Sequence, residues 1–350
     1  MSHGVTAWAA AVPGAPVTPT RIRRRDPGPN EVTVRVQWCG VCATDRHTLN
    51  AGDPATFPLV AGHEIVGEVA IVGAGVTDLT VGDVVAVGNI VDSCRECDMC
   101  RAGRENWCRD GVTLTYAGID RIDGKTTQGG FATEYVLDRR FTHRLPAGLD
   151  PAGAAPLLCA GTTVWVPLRR WGAGSGRRVG VIGLGGLGHI AVKLAHALGA
   201  ETTAFTTSAA KAQQASELGA DHVVVSTETG QLTGATTSLD LIIDTVGVPH
   251  DLGPYLQALD VDGTLVLVGI PPEKLPVAPM DLVVGAKTIA GAGSGGTAET
   301  RAMLDFCASH DIVADVERIT PDQLNDAFHR LDRNDVRYRF VVDVATTRDH

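Results

Sequence analysis

Eight cysteines stand at positions 39, 42, 94, 97, 100, 108, 159 and 307 of a chain of 350 residues. In a large chain without a secretory leader, clustered thiols favour metal binding or catalysis over disulfides. Four of them form one run, Cys94-x2-Cys97-x2-Cys100-x7-Cys108. Such tight spacing lets successive thiolates turn back onto one ion, and four sulfurs complete the tetrahedral shell of a closed structural zinc site. The surrounding Asp92-Ser93-Cys94-Arg95-Glu96-Cys97-Asp98 is too polar to fold as a packed core, so the ion would supply its order. An iron–sulfur cluster also uses four cysteines; zinc is the expectation here.

The other thiols are scattered. Cys39-Gly40-Val41-Cys42 has the spacing of a redox pair but is read as lacking the strand–helix context of a thioredoxin-like site. Cys42, His63 and Cys159 together would make a shell of two thiolates and one imidazole, with a fourth position open to a reactant. Those three are far apart in the chain, so spacing alone leaves packed core residues as the alternative. Cys39 and Cys307 are read as buried small hydrophobes.

A second kind of chemistry is written at Gly183-Leu184-Gly185-Gly186-Leu187-Gly188. An apolar run (Val179-Gly180-Val181-Ile182) leads in and an Ala/Leu-periodic stretch leads out, the strand–loop–helix setting of a dinucleotide site. There the glycines let a pyrophosphate approach the helix N-terminus. An acidic residue normally follows the second strand to bind the ribose 2′-hydroxyl of NAD. Here the stretch is Thr206-Thr207-Ser208-Ala209-Ala210-Lys211, with hydroxyls and a cation but no carboxylate. A 2′-phosphate would meet no repulsion and Lys211 could neutralise part of it, so NADP is favoured. The alternative is a Lys211 that merely solvates a helix face beside NAD.

These groups need elements to hold them. Residues 1–150 read as short strands (31–37, 65–73, 83–87, 132–137) separated by Gly, Pro and Asp turns. From residue 178 strands and helices alternate: strands at 179–182, 202–206, 222–225, 239–244, 264–268 and 288–290, with helices at 188–198 and 209–218. Six strands with crossovers predict a doubly wound parallel sheet, giving an α/β chain. Helices at 298–309 and 321–332 and a strand at 339–344 follow. The length predicts two domains.

The formal charge of −10 repels a polyanion, which argues against nucleic acid as a partner. Arg21, Arg23, Arg24 and Arg25 are the one basic cluster, read as a solvated loop edge. The most apolar stretch, near 154–168, is interrupted by Thr162, Thr163 and Pro167, so no membrane span is expected. No basic region precedes Trp8-Ala9-Ala10-Ala11-Val12, and the cytosol is the expected compartment.

The sequence resembles the zinc-containing medium-chain dehydrogenases, most closely the cinnamyl-alcohol-dehydrogenase-like, NADP-dependent aldehyde reductases. The matching runs are Trp38-Cys39-Gly40-Val41-Cys42-Ala43-Thr44-Asp45, Ala61-Gly62-His63-Glu64-Ile65-Val66-Gly67, Val91-Asp92-Ser93-Cys94, Thr127-Gln128-Gly129-Gly130-Phe131, Ala155-Pro156-Leu157-Leu158-Cys159-Ala160-Gly161, the glycine loop, and Asn334-Asp335-Val336-Arg337-Tyr338-Arg339-Phe340. The resemblance implies a GroES-like, β-rich catalytic domain from residues 1–159 and 295–350, with a Rossmann domain at 160–294 inserted. It implies two zinc ions per chain, NADP(H), a small aldehyde or alcohol as substrate, and a homodimer. Cys42, His63 and Cys159 would then hold the catalytic zinc, with Asp45 orienting His63. Glu64 would be a transient zinc ligand or, alternatively, a structural ion-pair partner. Thr44 would pass a proton through the cofactor ribose toward His47, unless its hydroxyl only shapes a turn.

The pattern departs in the substrate pocket. A Trp carried by cinnamyl-type relatives after the last structural cysteine is missing from Gly111-Val112-Thr113-Leu114-Thr115-Tyr116, and Ala292-Gly293-Ser294 replaces a second aromatic. A larger pocket with weaker stacking follows, with Tyr116 and Trp165 as candidate replacements. An aldehyde reductase leads; a biosynthetic reductase of a bulkier carbonyl, enone or iminium stands beside it. A catalytically silent protein that binds zinc and nucleotide is the reading from another class.

Overall fold

A computed structural model describes residues 2–228, 230–234 and 236–347. It divides into two compact units, Met1–Cys159 with Gly295–His350, and Ala160–Ser294.

The first unit is built on the strand Glu31–Val41, whose valines 32, 34 and 36 are buried. At eleven residues the strand is long enough to serve several neighbours. Its first half pairs with Glu134–Asp138, its last residues with Arg339–Asp343, and most of its length with Ile65–Val72, all antiparallel. Val84–Val87 and His143–Arg144 extend one side of this seven-stranded sheet, and Val316–Ile319 closes the other. The C-terminal strand is thus an inner strand of the N-terminal sheet. Val34, Ile65, Phe131, Tyr135 and Phe340 meet in its core.

The arginine cluster is a strand and not a solvated loop edge: Thr18–Arg25 pairs with Ser2–Ala9 in a hairpin. Alternation points Arg21 and Arg23 to solvent and Arg24 inward. Arg24 donates to the carbonyls of Gln128 (2.7 Å), Gly129 (2.8 Å) and Glu134 (3.1 Å) and lies over the Tyr135 ring. Backbone oxygens replace its lost hydration, which is how a lone guanidinium can be buried.

The second unit is a six-stranded parallel sheet in the order His222–Val225, Glu201–Thr206, Arg178–Ile182, Leu239–Asp244, Leu259–Leu267, Thr288–Gly291. Its central strands carry unbroken apolar runs because helices cover both faces (Val179, Val181, Leu241, Ile242, Ile243, Leu265 and Val266 are all buried). The strand Leu259–Leu267 starts before the Thr264 expected from sequence, across a register shift opposite Leu239 and Leu241. The helix expected over 209–218 is a 3-10 turn, Ala209–Lys211, running into Ala212–Glu217. Among the described residues no single helix is long and apolar enough to cross a membrane.

Candidate active site

Val41 ends its strand and Ala43 begins the helix Ala43–Ala51, so Cys42 is the N-cap, its backbone extended. Strand and helix do flank the Cys39/Cys42 pair, contrary to the expectation from sequence. The two thiols nonetheless part company: Cys39 lies in the strand with its Sγ on the Gly40 carbonyl side, and Cys42 joins a different cluster.

Asp45 organises that cluster. Its carboxylate is fully buried and accepts from the backbone N–H of Cys42 (2.9 Å) and of Gly62 (3.1 Å) and from Nδ1 of His63 (2.9 Å). One side chain thus fixes the turn bearing the thiol, the approach of the next segment and the orientation of the imidazole. With Nδ1 engaged, Nε2 is the nitrogen left to face a metal, an arrangement typical of ligating histidines. Cys159 comes in at the end of the 3-10 turn Ala155–Leu158. The donor atoms of Cys42, His63, Glu64 and Cys159 all lie within 4.8 Å of one another.

The electrostatics fit a divalent ion. A hydrogen bond between the two sulfurs holds the Cys42 thiol well below its ordinary range and pushes Cys159 well above it; burial adds to the second shift. Two thiols close enough to share a proton are close enough to share a cation. Burial is the largest single influence and works against a charge on His63, but the Asp45 carboxylate and the Cys42 sulfur together raise the imidazole. Two thiolates and an imidazole in a buried site are the donor set that zinc takes with an open position.

Glu64 is fully buried and ion-paired through Oε1 with Arg339, itself 3% exposed, while Glu64 Oε2 has no hydrogen-bond partner. The salt bridge and the place within the donor cluster therefore coexist. A Cβ on Gly40 would collide with the Glu64 carboxylate, so this carboxylate has its room only because position 40 is glycine. The role of Arg339 was not legible in the sequence. Its one signal is a lone cation at the head of the apolar strand Arg339–Asp343.

Tyr116 is buried beside the cluster, its ring 5.7 Å from that of His63 and tilted by 54°. Trp165 belongs to the other unit, buried on the helix Ala160–Arg170 with Arg169 over its ring. Thr44 and His47 are three apart on the helix Ala43–Ala51, exposed and on one face.

The second cysteine cluster is local. The sulfurs of Cys94, Cys97, Cys100 and Cys108 also lie within 4.8 Å of one another. Backbone N–H groups aim at them: Cys97 to Cys94 Sγ (3.4 Å), Cys100 to Cys97 Sγ (3.5 Å), Arg109 to Cys97 Sγ (3.4 Å) and Cys94 to Cys108 Sγ (3.3 Å). Donors aimed at sulfur favour the thiolate, and the Arg109 amide is the main reason Cys97 drops to about 6. Glu105, in the same lobe, accepts from the Thr297 N–H (3.0 Å) and hydroxyl (2.9 Å) at the start of the helix Thr297–Ser309.

In the other unit, Gly183 follows the strand Arg178–Ile182 with a φ of 89°, and the helix Gly188–Ala197 begins five residues on. A Cβ on Gly188 would run into the Gly183 carbonyl, while one on Gly185 would meet open space. The loop is closed by the first contact and leaves backbone accessible at the second; Gly186 and Leu187 complete it. Thr206 ends the next strand and its Oγ1 accepts from the Ser208 N–H (3.2 Å). Thr207 is exposed, and Lys211 reaches back to donate to the Leu184 carbonyl (3.2 Å). The predicted 2′-phosphate residues and the glycine loop are therefore neighbours.

Comparison with known proteins accords with this geometry. Residues 28–147 match the family profile "Alcohol dehydrogenase GroES-like domain" and residues 186–309 match "Zinc-binding dehydrogenase". The chain is similar to NADP-dependent alcohol dehydrogenase C of Mycobacterium tuberculosis, with 45% identity over 97% of this chain and 99% of the relative. It is 46% identical to aldehyde reductase YahK of Escherichia coli, over 95% of this chain and 96% of the relative. Among solved structures it is similar to a cinnamyl alcohol dehydrogenase of Sorghum bicolor, with a TM-score of 0.95, 42% identity and 99% of each chain covered. The chain belongs to the zinc-binding dehydrogenases of the alcohol dehydrogenase family, a family of oxidoreductases.

Proposed function

We propose that this dehydrogenase interconverts aldehydes and alcohols with NADP(H), acting chiefly as an aldehyde reductase, on a zinc held by Cys42, His63 and Cys159. The observation that carries the reading is the convergence of those three donors, brought together from three remote stretches of one unit. Cys94, Cys97, Cys100 and Cys108 would hold a second, structural zinc. The unit with both cysteine clusters is the catalytic domain, and Ala160–Ser294 binds the dinucleotide.

When bound, zinc supplies Lewis acidity to a carbonyl oxygen and the reduced nicotinamide supplies the hydride. The protein's own part is orientation and proton handling. Asp45 fixes the His63 ring and the Cys42 turn through three hydrogen bonds. Glu64, held by Arg339, keeps one carboxylate oxygen without a partner beside the donors, fit for brief ligation. Thr44 can donate and accept at once, and His47 shares its exposed helix face, so the pair can pass a proton between the alkoxide side and solvent. Ser208, Thr206, Thr207 and Lys211 receive the 2′-phosphate, and Gly183, Gly185, Gly186, Leu187 and Gly188 the pyrophosphate. The name of the mycobacterial relative supports the choice of NADP.

Reduction of a bulkier carbonyl, enone or iminium is separated from aldehyde reduction by product analysis with NADPH deuterated at C4: label on a carbinol carbon excludes the C=C and C=N routes. Cys159→Ala tests the reading itself. It should abolish turnover and leave a folded protein; undiminished turnover refutes the trio.

A homodimer is the proposed assembly. The strand Thr288–Gly291 is an edge of its sheet, and neighbouring elements expose Val261, Met280, Val283 and Val284. The cytosol is the proposed compartment, since two thiolate clusters need reducing conditions.

A further inference from the structure

Tyr116 sits on a stretch near the donor cluster that is held by hydrogen bonds on both sides. Its neighbour Thr115 donates its hydroxyl to the Gly88 carbonyl and its N–H to the Asn89 carbonyl (3.1 Å), and accepts the Tyr135 hydroxyl at its own carbonyl (2.7 Å). On the other side Ala117, in the left-handed region with a φ of 54°, donates to the Thr127 carbonyl (3.0 Å). The ring these bonds hold lies 5.7 Å from that of His63, whose Nδ1 is bonded to the Asp45 carboxylate. The Tyr116 hydroxyl is buried and has no hydrogen-bond partner. A buried orphan hydroxyl costs about 1–3 kcal/mol, and phenylalanine would fill the same space without it. Packing therefore does not account for a tyrosine here.

Asp45 offers what the hydroxyl lacks. An ionised carboxylate has roughly four acceptor sites, and three N–H groups occupy Asp45. We propose that Tyr116 is a positioning residue for the reaction, its hydroxyl serving as the fourth donor to the Asp45 carboxylate and its ring fixing the tilt of His63, so that the imidazole is locked onto the metal. A donor to the carboxylate that orients a ligating histidine tunes the metal without touching it. The inference rests on the reading of Cys42, His63 and Cys159 as the metal shell.

The test is Tyr116→Phe in the full-length protein, stripped of metal by a chelator and titrated with cobalt(II) while the visible d–d bands are followed. Cys159→Ala, which keeps the four-cysteine cluster, gives the baseline for the other site. The expected result is about a tenfold weaker cobalt half-saturation at the Cys159-dependent site, a typical loss when a partner behind a ligand is removed. A shifted band should accompany it, while the metal-free protein melts no lower than the parent. Cobalt titration and spectrum unchanged from the parent overturn the role. So does a higher KM for the alcohol alone with metal retention intact, which would make the hydroxyl a substrate contact. If Cys159→Ala itself binds cobalt like the parent, the metal reading fails and takes this inference with it.

Discussion

Replacing Arg339 by methionine would leave the buried Glu64 carboxyl, which burial already pushes up to about 7, without its ion-pair partner. The pair is made through a single nitrogen and a single oxygen, and neither Glu64 Oε2 nor Arg339 Nε has a hydrogen-bond partner. Breaking a buried pair by removing one partner costs about 3–5 kcal/mol, because the remaining charge stays out of water. At roughly 2–4 °C per kcal/mol for a unit of this size, the melting transition of the catalytic unit should fall by about 10 °C. The same reasoning makes a second, opposite forecast. Because the pair is incompletely bonded, Glu64→Met/Arg339→Met together should recover most of that loss, as apolar replacements of buried pairs often do. Scanning calorimetry of zinc-loaded parent, both single variants and the double variant closes the cycle. A single variant that melts with the parent, or a double variant that loses the sum of the two singles, would refute the picture of an enclosed, under-bonded pair.

His143 is buried with an unpartnered Nδ1, and burial first, then the charge of Arg301, holds its imidazole down to about 3. The unfolded chain takes up that proton below about 6.5, so this contribution is whole above that pH and drains away as pH falls toward 3. About 2 kcal/mol should be gone by pH 5, and His143→Gln should show a loss from pH 7 to pH 5 smaller by that amount in urea melts. Lys211→Glu should raise the KM for NADPH at least about tenfold while moving that for NADH far less, since only the former carries the charge it would repel; equal effects would exclude a phosphate contact. Cys100→Ala opens the closed cluster and should release one of two zinc ions and lower the melting temperature, read by metal analysis and calorimetry; a stable protein with only a catalytic defect contradicts the division of labour.

What the sequence disclosed depended on how local each feature is. Cys94, Cys97, Cys100 and Cys108 close their cluster within fifteen residues, so spacing alone predicted it. The parallel sheet was legible for a related reason: Val179–Ile182 and the stretch 241–243 are buried and read as apolar runs. Cys42, His63 and Cys159 are joined only by folding, and resemblance rather than spacing picked them out. The arginine hairpin misled because Arg24 is solvated by three carbonyls from distant residues, which no local pattern announces. The role of Arg339 escaped for the same reason, since it comes from a carboxylate far away in sequence; Tyr116 was legible only as a candidate pocket aromatic and not as a neighbour of His63.

The most direct measurement is anomalous scattering at the zinc edge from crystals of the purified protein. A peak should lie roughly 2.3 Å from the sulfurs of Cys42 and Cys159 and about 2.0–2.1 Å from Nε2 of His63, with a second peak among the four clustered cysteines. An active enzyme whose crystals show no anomalous peak between Cys42, His63 and Cys159 would contradict the account.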